Sequence, residues 1–382
     1  MKLRCNGPGL ARLMAAGALA GWLAACSTAP VAPRALPELQ GAGPPVEIPE
    51  ADILGLSPEM QAFLDRYILP YEDPDTRLHL LGMAVGRAGV PGFRYHDHRT
   101  LTAAEAFAAG AGNCLSFANM LVALARHAGL EAQYQEVFVQ REWSSHEDTV
   151  LLAKHINVVV SGRHFRYVVD ISGQKPDPDA RHRILDDAEA YALFYNNMGV
   201  DALLARDLPL AWAFTAKAIE TAPDMASPWV NMGVVMSRNG QLEDAAQAHR
   251  TALDIDPRET AALSNLYDIY LARGDEHSAD QVRERVEHYR RQNPYYLLKL
   301  SEEALAATRY QDSLELLKQA ISKKQDDHLL HFALAKTQYL AGERAAAEDS
   351  YQRARQLAPA TALARYERPL PELIEERGAP PR

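Results

Sequence analysis

The stretch GAGNCLSFANML, residues 110–121, places a cysteine where glycine-rich chain turns into an apolar helical run. A thiol attacks a carbonyl carbon only as the thiolate. The free N–H groups and partial positive charge of a helix N-terminus favour that anion. Asn113 is a good N-cap, so Cys114 falls in the first turn of the helix. Such a nucleophile needs a base, and the base needs an orienting partner. Downstream, HINVVV opens on His155 and RYVVD closes on Asp170. Their 15-residue separation can set two strand residues side by side across a hairpin. Strand alternation groups His155, Asn157 and Val159 on one face. Thiol, imidazole and carboxylate in this relation are the parts needed to open an amide through a thioester.

Each of these residues also has a plainer reading. A free cysteine often packs as a small apolar residue. Asp170 can cap the turn before Gly173, and His146 and His164, both in expected loop or turn, are rival bases. The run YHDHR brings His96 and His98 into one short loop, where solvation is the expectation and a metal site is not. No Walker loop or dinucleotide fingerprint is present, so no cofactor is expected.

The elements that must hold the three residues follow from periodicity. Ser57-Pro58, an N-cap and a proline at the first helical position, opens PEMQAFLDRYI, with Met60, Phe63, Leu64 and Tyr67 on one face. A second helix is expected from about Asp75 to Gly86. Thr102 to Glu105 spells a capping box, and the short helix after it ends at Gly110 or Gly112. The helix from Cys114 to about His127, closed by Gly129, is apolar nearly all round, which predicts a buried central helix. After Gly129, AQYQEVFV, HINVVVSG and HFRYVVDIS read as strands, the last two joined by a tight turn at Ser161-Gly162. This part, residues 53–190, is α+β, with helices first and antiparallel sheet second.

From about Tyr195 the chain is helical and repetitive. Gly199 and Gly233 are 34 residues apart; Ala211, Ala218 and Pro223 follow the first, and Ala245, Ala252 and Pro257 follow the second at the same offsets. A third unit has Tyr267 at the glycine position and Ala279 after it. A fourth holds Ala320, and a fifth holds Ala335, Ala347, Tyr351, Ala354 and Pro359. These offsets resemble the tetratricopeptide repeat. The resemblance implies an all-α solenoid over residues 195–362, whose units stack to bury faces that none can bury alone. Its concave groove would receive a protein or peptide. The tail, residues 363–382, is proline-rich from Pro369 and expected to be loose.

At the other end, Lys2, Arg4 and Arg12 precede the apolar run LMAAGALAGWLAAC. That is a signal-peptide pattern, with an apolar stretch too short for a stable membrane span. Leu23-Ala24-Ala25-Cys26 resembles a bacterial lipobox, which implies removal of residues 1–25 and lipid on Cys26. Ser27, in place of an aspartate, implies the outer membrane, with the chain on its periplasmic face. Residues 26–52, with six prolines, are expected to be a semi-extended tether. Cys5 leaves with the signal and Cys26 carries lipid, so Cys114 has no intramolecular disulfide partner. The formal net charge of −10 speaks against nucleic acid as a partner.

Taken together, GNCLSFANMLVALARHAGLEA, HINVVV and VVDIS resemble the transglutaminase-like, or papain-like, cysteine superfamily. The resemblance covers roughly Leu56 to Ser172. It implies a nucleophile at Cys114, a general base and then acid at His155, and an orienting carboxylate at Asp170. Phe165 and Tyr167 stand in the region where many members carry a tryptophan. The activity this implies is a membrane-anchored cysteine peptidase or amidase, or an acyl transferase using the same thioester. The reading from another class is an inert envelope scaffold acting through its repeats.

Overall fold

The computed structural model describes residues 34–41, 43–44, 46–86, 93–95, 100–146, 149–171 and 181–376. Cys26, His96 and His98 lie outside them. The described residues from Pro37 onward belong to one compact unit.

Three helices lead to the central one. Ser57 Oγ accepts from the Met60 N–H and starts α1 (Pro58–Tyr67), and α2 spans Pro74–Gly86. The capping box of Thr102 and Glu105 starts α3 (Ala103–Ala109), which Gly110 ends in a left-handed conformation. A two-residue parallel pair, β1 (Arg94–Tyr95) with β2 (Ala111–Gly112), then delivers the chain to α4 (Cys114–His127). Leu115, Phe117, Met120, Leu121, Val122 and Leu124 of α4 are all buried, as its all-round apolar character requires.

Among the described residues the sheet has four antiparallel strands in the order β5-β4-β3-β6: β3 (Glu131–His146), β4 (Thr149–Ser161), β5 (Arg166–Val169) and β6 (Arg181–Leu185). β3 and β4 form one long hairpin whose register shifts between Val137 and Glu142. The expected tight turn at Ser161-Gly162 is wider. Gly162 to Phe165 separate the strands, closed by Gly162 N–H donating to the Phe165 carbonyl. Ala132 and Tyr134 of β3, and Ile156, Val158 and Val160 of β4, join the α4 core. β6 has no counterpart among the expected strands, because RHRIL shows no apolar alternation; its Arg183 pairs instead with the buried Glu136 of β3.

Five helix pairs follow. They are α5 (Asp187–Leu204) with α6 (Leu208–Thr221), α7 (Ala226–Arg238) with α8 (Leu242–Ile255), α9 (Thr260–Ala272) with α10 (Glu276–Arg290), α11 (Pro294–Ala306) with α12 (Tyr310–Lys323), and α13 (His328–Leu340) with α14 (Arg344–Leu357). Matched positions recur 34 residues apart in these pairs: Gly199, Gly233, Tyr267, Ser301 and Ala335 on the first helices, and Ala211, Ala245, Ala279, Ser313 and Ala347 on the second. The two glycines have a packing cause. A Cβ at Gly199 would lie 2.7 Å from Thr215 Oγ1, and one at Gly233 would lie 2.5 Å from the His249 ring.

Three expectations at the domain edges change. The boundary between 190 and 195 falls inside α5, whose Ala190, Leu193, Phe194 and Tyr195 belong to the core of α4 and whose Ala202 and Leu203 pack in the next cluster. The proline-rich stretch is docked from Pro37 onward. The Pro37 carbonyl accepts from Trp212 Nε1, and the Gln241 amide both accepts from Gln40 N–H and donates to the Glu38 carbonyl. Finally, the tail is helical from Leu370 to Glu376. This last helix packs Leu370 and Leu373 on Phe332, Tyr351 and Ala354, covering the apolar face that the terminal repeat would otherwise leave open.

Candidate active site

Cys114 is the first residue of α4, half-buried and free. Asn113 places it there. The Asn113 Oδ1 accepts from the backbone N–H and the hydroxyl of Ser116, each at 2.9 Å, and its Nδ2 donates to Thr100 Oγ1 at 2.6 Å. Ser116 Oγ in turn accepts from Leu101 N–H, and Asn119 Nδ2 donates to the Leu101 carbonyl. Tyr134 completes the chain, donating to Asn119 Oδ1; burial pushes its phenol pKa up, which keeps it a donor. Asn113, Ser116, Asn119 and Tyr134 thus fasten the start of α4 to the preceding segment and to β3. A buried polar network of this kind fixes position because each member is satisfied only in one arrangement.

His155 and Asp170 come from neighbouring strands. His155 Nε2 lies 2.5 Å from Asp170 Oδ2. With Nε2 given to the carboxylate, Nδ1 is the ring nitrogen left for the Cys114 thiol, which is near enough to help raise the ring's pKa. Burial works against a charged ring, but the hydrogen bonds to Asp170 and Cys114 and the charges of both outweigh it. The His155 pKa is raised to about 10. The structure therefore brings Cys114, His155 and Asp170 into one linked set at the head of the buried helix.

Other residues bear on that set. Asn157, on the same face of β4, is buried, and its Nδ2 is 3.5 Å from Asp170 Oδ2; its Oδ1 has no hydrogen-bond partner among the described residues. Asp75 pins the turn between β4 and β5. Its carboxylate accepts from the backbone N–H groups of Arg163 and His164 and pairs with His164 Nδ1 at 2.7 Å. These bonds, the His164 N–H first, hold the Asp75 pKa below the usual carboxylate range. The turn needs glycine there, since a Cβ at Gly162 would lie 2.3 Å from Asp75 Oδ1.

His164 is therefore an exposed turn residue held by Asp75, away from Cys114. His146 ends β3 at the far tip of the long hairpin. Among the described residues no cluster of three or more His, Cys, Asp or Glu side chains could hold a metal ion, and no helix is long and apolar enough to cross a membrane. Asn157, beside the catalytic set, and Asp75, which pins the turn between the strands that carry it, are residues that the sequence pattern alone does not single out. The signal for Asn157 is its place two residues from His155. For Asp75, 88 residues from Arg163, nothing local marks it.

Residues 91–173 match the sequence model of the Transglutaminase-like superfamily. No curated protein sequence matches the chain. Among solved structures it is similar to Pseudomonas aeruginosa pilF, at 17% identity over 50% of this chain and 88% of that one, with a TM-score of 0.35. It is also similar to TTC0263, a thermophilic TPR protein in Thermus thermophilus, at 19% identity over 46% of this chain and 97% of that one, TM-score 0.34. A third is YrrB, a TPR protein with an unusual peptide-binding site, at 15% identity over 46% of this chain and 91% of that one, TM-score 0.27.

Proposed function

From a transglutaminase-like domain followed by tetratricopeptide-type repeats, we propose that this chain is a cysteine-dependent amide hydrolase, held at a membrane by lipid on Cys26 and acting on peptide or protein substrates that its repeats recruit. The observation that carries the reading is the linked set of Cys114, His155 and Asp170 at the N-terminus of a buried helix. Cys114 sulfur attacks the amide carbon while His155 holds the thiol proton. The first turn of α4, with the Cys114 N–H as one donor, stabilises the oxyanion. His155 then gives its proton to the leaving nitrogen, the C–N bond breaks, and a thioester remains. Water, giving a proton to His155, attacks the thioester carbon; the C–S bond breaks and the proton returns to sulfur. An amine in place of water would make the same intermediate a transfer reaction. Asp170 holds the ring through Nε2 and stabilises its positive form.

The anchoring is carried by the sequence from Leu23 to Ser27, and the recruiting role by the solenoid. The test is an acyl trap. Incubating the full chain with peptide 4-nitrophenyl esters, quenching in acid and mapping by mass spectrometry should find an acyl group on the Cys114 peptide that is absent in His155→Ala. No adduct on Cys114, or an equal adduct in the variant, would contradict the reading and leave an inert scaffold.

A further inference from the structure

Strand β5 carries residues that neither the core nor the catalytic set uses. Its register pairs Arg166 with Ser161 and Val168 with Val159, so Arg166 and Val168 share the face of His155, Asn157 and Asp170. Alternation sets Arg166, Val168 and Asp170 in one row along the strand. Among the described residues β5 is also an edge of the sheet, with β4 on its inner side. Val168 is 57% exposed, Phe165 59% and Tyr167 42%. Arg166 is exposed and has no carboxylate partner among the described residues. Proteins commonly guard edge strands with charge, proline or a covering segment. Here Val168 and the cation of Arg166 lie open on the face that carries His155 and Asp170, with exposed Phe165 in the adjoining turn, in a chain whose net charge is −10.

We propose that β5 is the substrate ledge. An extended peptide adds to its open edge as a further strand, laying an apolar side chain on Val168 and a carboxylate on Arg166. The inference rests on the hydrolase reading and gives its substrate class: extended segments with apolar and acidic residues on one face. Main-chain hydrogen bonds of strand addition supply affinity, and alternate side chains supply the choice of register. Arg166 is four residues from Asp170, so the carboxylate it selects lies about 13 Å along the strand from the reacting end. The guanidinium fork matches a carboxylate in two parallel bonds.

Fluorescence anisotropy on the full chain carrying Cys114→Ala tests this with three labelled twelve-residue probes: Thr-Glu-Thr-Val three times over, Thr-Lys-Thr-Val three times over, and the first with proline replacing each threonine. The glutamate probe should bind at least tenfold more tightly than the lysine probe, and the proline probe, which loses half of its main-chain donors and cannot pair as a regular strand, should bind at least tenfold more weakly than the glutamate probe. Arg166→Glu should reverse the order of the first two, and Val168→Glu should weaken the glutamate probe at least tenfold. Equal binding of the charged probes, binding unchanged in both variants, or no binding at all overturns the ledge. So does light scattering that shows a dimer dissociated by Val168→Glu, since the edge would then serve a second copy. Iodoacetamide labelling of Cys114 in the parent chain separates the two claims. A reactive thiol without probe binding removes only the ledge; probe binding with an inert thiol removes the hydrolase and leaves the ledge.

Discussion

His155 Nε2 and Asp170 Oδ2 lie 2.5 Å apart on neighbouring antiparallel strands. The contact fixes which ring nitrogen faces Cys114. Asp170→Asn offers the ring a neutral partner and loses the charge that favours imidazolium. Acylation of Cys114 is expected to fall about a hundredfold or more, with circular dichroism unchanged. Asn157→Leu, which removes only the weaker contact on the same carboxylate, should cost about tenfold or less. The acyl trap read at several times measures both, and an undiminished rate in Asp170→Asn contradicts the role given to it.

The protonated ring has a consequence for stability. The His155 pKa is raised to about 10 in the folded chain, against about 6.5 in an unfolded one. Between those values the folded state holds more protons, so the contribution is complete below about pH 6.5 and is lost as pH rises through about 10. The urea midpoint of the parent chain should exceed that of His155→Gln at pH 6, and the gap should narrow by pH 10. A constant gap would mean that the ring is neutral throughout.

In the second repeat, Gly233 and His249 meet without room for a methyl group, since an added Cβ would lie 2.5 Å from the ring. Gly233→Ala should destabilise the repeats by about 1–3 kcal/mol. Paired with His249→Ala it should cost less than the sum of the two single changes, because the second removes what the first strikes. Additive melting shifts would place the cost elsewhere.

His249 also titrates. It is completely buried with no hydrogen-bond partner for either ring nitrogen among the described residues, and burial lowers its pKa to about 4. Between about 4 and 6.5 the unfolded chain binds the extra proton, so stability falls as pH falls through that window. Thermal unfolding followed from pH 7 to 4 should show a loss that His249→Leu reduces. An equal loss in the variant would assign the acid sensitivity to other groups.

Much of this architecture is legible in the chain. The buried helix declares itself because residues 115–125 are apolar nearly all round, and His155 and Asp170 can be paired because strand alternation has a period of two. The repeats are readable wherever the close helix crossing demands Gly or Ala. They are harder to see in the fourth unit, where Ser301 and Ser313 meet the same need for small size with different chemistry. β6 escapes because its stabilising contact is the ion pair of Arg183 with Glu136, which leaves no apolar period. Asp75 escapes because a carboxylate that pins a turn 88 residues away has no local signature. The docking of Pro37 to Gln40 depends on Trp212, Asn239 and Gln241, none of which points to it from sequence.

The most direct test of the central claim is the rate of iodoacetamide alkylation at Cys114, followed by peptide mass spectrometry from pH 5 to 9 in the parent chain and in His155→Ala. A thiolate held by imidazolium should be alkylated rapidly at pH 6, and the variant should react at least tenfold more slowly there. Alkylation that rises only toward about pH 8.5, as for an unassisted thiol, and is the same in both chains, would contradict a catalytic pairing of Cys114 with His155.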